Sequence, residues 1–263
     1  MKLRYRTLCL SDIHLGTRGC KAEYLTDFLR HVQCRKLYLV GDIIDMWSLR
    51  KGGWYWSDTH NEVVRRILAM AREGTEVIYI PGNHDDWLRG HLGTEFNGIR
   101  LAKHDIHTAA DGRRYLVLHG DEFDTLIASN RWLHHLGSLT YDTLLEINRR
   151  LNLARKSLGY PYWSLAGFLK SRVKNAVRYI TEFENALLRN ARRQQLDGVI
   201  CGHIHHPRLH HEAGYLYANC GDWVENCTAL AEDDEGAWSL IHWVEESAHL
   251  LRENSRGELP EQA

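Results

Sequence analysis

The chain has 263 residues, 44% hydrophobic and 25% charged, which is the make-up of a soluble globular protein long enough to bury a large core. A formal net charge of −1 excludes a global field of the kind that draws nucleic acid or a bilayer. No apolar run approaches the roughly 18 residues of a membrane span, and the six cysteines form no CxxC pair.

In chain order, Tyr5–Leu10 reads as a first strand ending in Ser11-Asp12-Ile13-His14. Asp12 and His14 are two residues apart, so at a strand end their side chains are expected on one side, able to serve one ion. Leu25, Phe28 and Leu29 give the segment 22–31 a helical period. The stretch KLYLVGDIID (36–45) follows as a buried strand that delivers Asp42 and then Asp45 at its carboxyl end. Gly41 is expected to let the backbone approach whatever Asp42 holds. Trp47–Trp56 is aromatic and broken by glycine, a packed corner or a lid, with packing favoured. A helix at 61–71, ended by Gly74, leads to a strand at 75–80 that closes in Pro81-Gly82-Asn83-His84-Asp85. The alternation of strand and helix up to this point predicts a parallel sheet with right-handed crossovers.

Arg113–Leu118 is a further strand, ending in His119-Gly120-Asp121. From Glu122 to Leu196 roughly 75 residues show no strand pattern, too many for a bare loop, and their apolar spacing predicts helices. The clearest runs through Val173, Val177, Ile180, Phe183, Leu187 and Leu188. Between Arg149 and Arg193 the only acids are Glu182 and Glu184, a basic excess that points to an anionic partner. Gly198–Cys201 returns to strand and ends in Gly202-His203-Ile204-His205. Short strands at 215–218 and 228–231 and a last one at 238–244 precede a polar tail.

Five strand ends therefore finish in potential ligands: Asp12 and His14, Asp42, Asn83 with His84, His119, and His203 with His205. The set has oxygen and imidazole donors and no thiolate, which suits Mn²⁺, Fe, Zn²⁺ or Mg²⁺.

In DIH, GDIID, GNHDD, HGDEF and GHIHH the chain resembles the calcineurin-like metallophosphoesterase superfamily. The resemblance implies an α/β fold, a four-layer α-β-β-α sandwich with a helical cap inserted at about 123–196 and a polar tail from about 246. It implies a dinuclear centre of two divalent metal ions, Mn²⁺ expected first, with Fe or Zn²⁺ also suited. Asp12, His14, Asp42 and His205 would hold one metal. Asp42, Asn83, His119 and His203 would hold the other, with Asp42 bridging, and a metal-bridging hydroxide would attack phosphorus. His84 would be a proton donor or charge stabiliser beside the phosphate, and Asp45 and Asp85 would orient imidazoles. His206, His210 and His211 are expected not to be ligands.

Within the superfamily, length, the basic insert and Gly221-Asp222-Trp223 resemble the bacterial UDP-2,3-diacylglucosamine pyrophosphatases of lipid A synthesis. That resemblance implies cleavage to lipid X and UMP, with acyl chains held by Phe168, Val173, Val177 and Ile180. Substrate contacts are implied at Asn83, His84, Asp124, Lys174 and Arg178. The implied partner is a phosphorylated, lipid-linked nucleotide sugar, with an anionic membrane surface, no nucleic acid and no obligate protein partner. A cytoplasmic location, peripheral on the inner membrane, is expected. One departure is that the best-known members carry Arg where this chain has His84. It leaves open a paralogue acting on another lipid-linked or nucleotide phosphoester. A non-catalytic scaffold of the same fold is the reading of a different class.

Overall fold

The structure is a computed structural model. It describes residues 2–50, 52, 55–124 and 165–248, with backbone alone at residue 49 and at 165–175. By compactness the chain divides into one unit of Met1–Asp121 with Leu187–Ala263, and a second of Glu122–Ala186.

The first unit is built on two sheets. The larger has seven strands: β1 (Leu3–Leu10), β2 (Val32–Val40), β3 (Glu76–Ile80), β4 (Glu95–Phe96), β5 (Ile99–Leu101), β11 (Thr228–Glu232) and β12 (Trp238–His242), in spatial order β12-β11-β1-β2-β3-β5-β4. Its β1, β2, β3 and β5 are parallel neighbours, as the alternating pattern predicted, and β11, β12 and β4 add antiparallel edges. The smaller sheet runs β6-β7-β8-β10-β9, from β6 (Asp105–Thr108), β7 (Arg114–Val117), β8 (Gly198–Cys201), β9 (Arg208–Glu212) and β10 (Tyr215–Asn219).

Strict alternation along the central strands divides the core in two. Leu8 and Leu10, Leu37 and Leu39, and Val77 and Tyr79 face a cluster shared with two helices, α1 (Ala22–His31) and α3 (Asp58–Arg72). Those helices contribute Leu25, Phe28 and Leu29, and Val63, Ile67 and Met70. Each such buried side chain stabilises the fold by on the order of 2 kcal/mol. The intervening residues, Cys9, Tyr38, Val40, Ile78 and Ile80, pack between the sheets against Tyr115, Val117, Ile200, Leu216 and Ala218. On the opposite face of β10, the Arg192 guanidinium lies over the ring of Tyr215, 4.6 Å from its centre. Arg192 belongs to the last turns of α4 (Leu165–Arg193), which brings a helix end to the outer side of the smaller sheet. Helix, sheet, sheet and helix thus form the expected four layers.

Helix α3 opens at Asp58, three residues before the expected start at 61, because Ser57 precedes it as a cap and its N–H meets His60 Nδ1 at 3.4 Å. Four strands went unread in the sequence: β4, β5, β6 and β9. β4 and β5 form a hairpin through Asn97-Gly98, whose φ values of 50° and 81° suit a two-residue turn. A helical turn covers residues 243–248, so chain order continues past the expected start of the polar tail; residues 249–263 lie outside the described residues. The six cysteines are free, and burial pushes the Cys20 and Cys34 thiols up to about 12. Among the described residues no helix is long and apolar enough to cross a membrane.

Candidate metal centre

The predicted ligands meet at the carboxyl ends of the parallel strands. Past the end of β1 its loop still runs beside the loop after β2: Asp12 N–H donates to Gly41 O at 3.0 Å and His14 N–H to Asp42 O at 2.9 Å. The convergence of Asp12 and His14 does not come from the strand pleat, as expected from their spacing. Both residues lie beyond the strand in left-handed backbone, with φ of 51° and 53°. Asp42, His203 and His205 share that conformation, with φ of 54°, 73° and 50°. Left-handed backbone costs a non-glycine residue about 1 kcal/mol or more and persists only where the surroundings hold it.

Three groups of side chains have ligand atoms within 4.8 Å of one another and could hold a metal ion: Asp12 with His14 and His205, Asp42 with His119 and His203, and His14 with Asp45 and His84. In the first, His14 Nε2 and His205 Nε2 face each other at 3.2 Å, and His205 Nε2 is 3.2 Å from Asp12 Oδ1. In the second, His119 Nδ1–H donates to Val40 O at 2.9 Å, which leaves Nε2 as the ligating nitrogen, 3.5 Å from Asp42 Oδ2. Asp42 Oδ2 is also 4.0 Å from His14 Nε2, so one carboxylate oxygen faces both groups. Asp42 Oδ1 accepts the His84 N–H at 2.8 Å. The third group has another cause. Asp45 Oδ2 accepts Nδ1–H from His14 at 3.1 Å and from His84 at 2.8 Å, turning both Nε2 atoms inward.

Asp45 thus orients two imidazoles, as expected, whereas Asp85 does something else. It is fully buried and accepts N–H groups from Ile43 at 2.8 Å and from Gly82, together with the Tyr79 hydroxyl at 2.6 Å. It ties the loop carrying Asp42 to the loop carrying Asn83. Gly82 lies at this junction, and a Cβ there would stand 2.2 Å from Asp42 Oδ1 and 2.7 Å from His119 Nε2. At Gly41 the nearest atom to a Cβ would be His119 Nδ1 at 2.2 Å, so the room that glycine leaves is taken by His119. Trp47, in the short helix α2 (Met46–Arg50), stacks on His84 with ring centres 4.1 Å apart. The aromatic stretch is therefore packed at its start, and what it packs against is a site residue.

The donor set fits cations. Asn83 Oδ1, Asp12 Oδ1 and His119 Nε2 are buried and receive no hydrogen bond of normal geometry. Burial opposes charge on His119 and His205, yet Asp42 beside the first and Asp12 beside the second raise them to about 10 and about 9. The same imidazoles hold Asp12 and Asp42 below the usual carboxylate range against the effect of burial. A buried cluster that draws protons onto its imidazoles is one whose carboxylates call for positive charge, and divalent ions meet that demand with the same atoms.

The other predicted residues fall elsewhere. His206 and His211 are exposed, and none of the three groups includes them or His210. Asp124 and Arg178 belong to the second unit. There Asp124 Oδ1 accepts the Tyr179 hydroxyl, and Arg178 Nε is 3.5 Å from Glu182 Oε1 on the surface of α4. Val177 is 58% exposed and Ile180 half-buried. The side chains of Lys174, Phe168 and Val173 lie outside the described residues. Sequence reasoning missed Trp47, Tyr79 and Asn226 as site residues; Trp47 carried a signal in its place five residues after Asp42, and Asn226 in following the Gly221-Asp222-Trp223 run, which was read only as a mark of resemblance.

Residues 5–207 match a family model described as calcineurin-like phosphoesterase. A UDP-2,3-diacylglucosamine hydrolase of Neisseria meningitidis serogroup A is 26% identical over 247 residues, covering 87% of this chain and 94% of its own. The protein of that name from Neisseria gonorrhoeae is 27% identical over 238 residues, with 87% and 94% covered. The one from Edwardsiella ictaluri is 26% identical over 254 residues, with 92% and 93% covered. With its five ligand-bearing loops gathered at one end of the parallel strands, the chain belongs to the calcineurin-like phosphoesterase family.

Proposed function

We propose that the protein is a dinuclear-metal hydrolase that cleaves the pyrophosphate of UDP-2,3-diacylglucosamine to a lipid-linked sugar phosphate and UMP. The observation that carries the chemistry is Asp42 Oδ2 facing both the Asp12–His14–His205 group and the His119–His203 group. In this reading Asp12, His14, Asp42 and His205 hold one cation and Asp42, Asn83, His119 and His203 the other. Bound divalent ions, Mn²⁺ foremost, supply Lewis acidity toward phosphoryl oxygens and lower the pKa of water. Asp42 offsets the mutual repulsion of the two charges. Asp45 keeps His14 Nε2 free to ligate and presents His84 Nε2 to the phosphoryl group. Burial lowers the proton affinity of His84, but the Asp45 hydrogen bond and the Asp42 charge outweigh it and raise it above the ordinary imidazole value in the metal-free protein, the direction a proton donor needs.

The substrate assignment rests on relatives of that name along most of both chains. Asn83 and His84 would contact the phosphoryl group, and Asp124, Lys174 and Arg178 the sugar and phosphate. The excess of Lys and Arg over acids in 149–193 would also meet an anionic leaflet. His84 favours one second reading. Imidazole paired with Asp45 can protonate an alkoxide, which suits a phosphodiester with a poorer leaving group than UMP.

The test is UMP release from UDP-2,3-diacylglucosamine by metal-stripped protein restored with Mn²⁺, with His119→Ala and an aryl phosphodiester as controls. UMP release abolished in the variant supports the first reading. Cleavage of the aryl ester alone selects the second. Silence on both with metal bound overturns the hydrolase.

A further inference from the structure

The two ligand groups share some supports and differ in others. Asp85 serves the loops of Asp42 and Asn83, as described above. The loops of Asp12 and His205 are held by the segment 219–226, which supplies no predicted ligand. Its hub is Asp222, a carboxylate with no exposed surface. Oδ1 accepts N–H groups from Val224 at 2.7 Å, Glu225 at 2.6 Å and Asn226 at 3.3 Å, closing a tight turn. That turn delivers the Asn226 side chain to the back of the His203–His205 loop. One Nδ2 hydrogen goes to Asp222 Oδ2 and the other to His205 O at 3.2 Å. Both partners are pure acceptors, so only the amide nitrogen fits here and both of its donors are used.

The same segment reaches the other ligand loop. Trp223 N–H donates to Asp12 O at 3.0 Å, and the Trp223 ring is fully buried 5.4 Å from that of Phe28. The His203 end of the loop is fixed separately, by Asn219 Nδ2 on Gly202 O at 2.8 Å and by Asp12 Oδ2 on the His203 N–H at 2.9 Å. Asn226 thus bears directly on the left-handed backbone of His205, φ 50°, while Asn219 and Asp12 hold the His203 end of the loop.

We infer that Asn226 is a positioning residue for the Asp12–His14–His205 pocket alone: by holding the His205 carbonyl it fixes the turn that aims this imidazole at the metal. The inference rests on the dinuclear reading above. It makes the affinities of the two pockets separable, because removing the Asn226 donors loosens one pocket and leaves the Asp85-braced one intact. Loss of a group that orients a ligand typically weakens metal binding by about 10–100-fold.

The experiment titrates metal-free wild type, Asn226→Ala and Asn226→Ser with Mn²⁺ by calorimetry and by electron paramagnetic resonance. The serine variant keeps a polar side chain in the turn should alanine fail to fold, and thermal melting of the metal-free proteins monitors folding. The expected result is two equivalents in wild type with the signal of an exchange-coupled pair. In the variant, one affinity falls by about 10–100-fold, the other holds, and the six-line signal of isolated Mn²⁺ appears. Two unchanged affinities, or two that fall together, overturn the inference. Fewer than two equivalents in wild type overturns the dinuclear reading itself, which keeps the two failures apart.

Discussion

Replacing Gly82 by alanine tests the packing of the centre with a single methyl group. The new Cβ would stand 2.2 Å from Asp42 Oδ1, 2.7 Å from Asp42 N and 2.7 Å from His119 Nε2. Ordinary carbon contacts begin near 3.4 Å, so the carboxylate must retreat by about 1 Å. A rotamer change cannot clear the backbone nitrogen, so the loop of Asp42 must move as well, against the Asp85 hydrogen bonds that hold it. Overpacking of this kind costs about 1–3 kcal/mol of stability. A displacement of about 1 Å at the reacting centre lowers turnover by on the order of 100-fold. The assay is hydrolysis of an aryl phosphodiester with Mn²⁺, beside thermal melting of the metal-free protein. Gly90→Ala is the control, since a Cβ there meets nothing within 4 Å. Wild-type turnover and Mn²⁺ affinity in Gly82→Ala would refute the claim that Asp42 and His119 close on this backbone.

Asp45→Asn should weaken Mn²⁺ binding by about 10–100-fold and lower turnover further, because His14 and His84 lose their shared acceptor together; calorimetry and turnover report the two effects. Trp47→Ala should cut turnover by about 2–10-fold through loss of the His84 stack, with Trp47→Phe close to wild type. In the metal-free protein His119 and His205 lie above their ordinary value of 6.5, so their contribution is whole below 6.5 and lost as pH rises through about 9 and 10. Asp12 and Asp42 lie below 3.8, so theirs is present above 3.8 and lost as pH falls. Melting scans should therefore peak between about pH 4 and 6.5 and decline toward pH 10, and Mn²⁺ added at pH 7 should release protons, seen as a buffer-dependent heat.

The candidate ligands were legible because cations restrict the donor types, and because Asp12, Asp42, Asn83, His119 and His203 each follow an apolar strand. The parallel centre of the larger sheet was legible for the same reason. β6 and β9 were not: each is an edge strand of four or five residues with polar or exposed positions, DIHT and RLHHE, and no apolar run to mark it. The β4–β5 hairpin did carry a signal in Asn97-Gly98, but its arms of two and three residues are too short to show alternation. Left-handed backbone at Asp12, His14, Asp42, His203 and His205 has no mark in composition, since it is imposed by neighbouring loops. Asn226 looks like any turn asparagine until Asp222 and His205 are seen on either side of its amide.

Crystals of the protein soaked in Mn²⁺ and measured near the manganese absorption edge would locate the metals directly. Two anomalous peaks are expected, one among Asp12, His14 and His205, the other among Asn83, His119 and His203, with Asp42 between them. A single peak, or peaks away from these residues, would contradict the dinuclear centre on which the account of this protein depends.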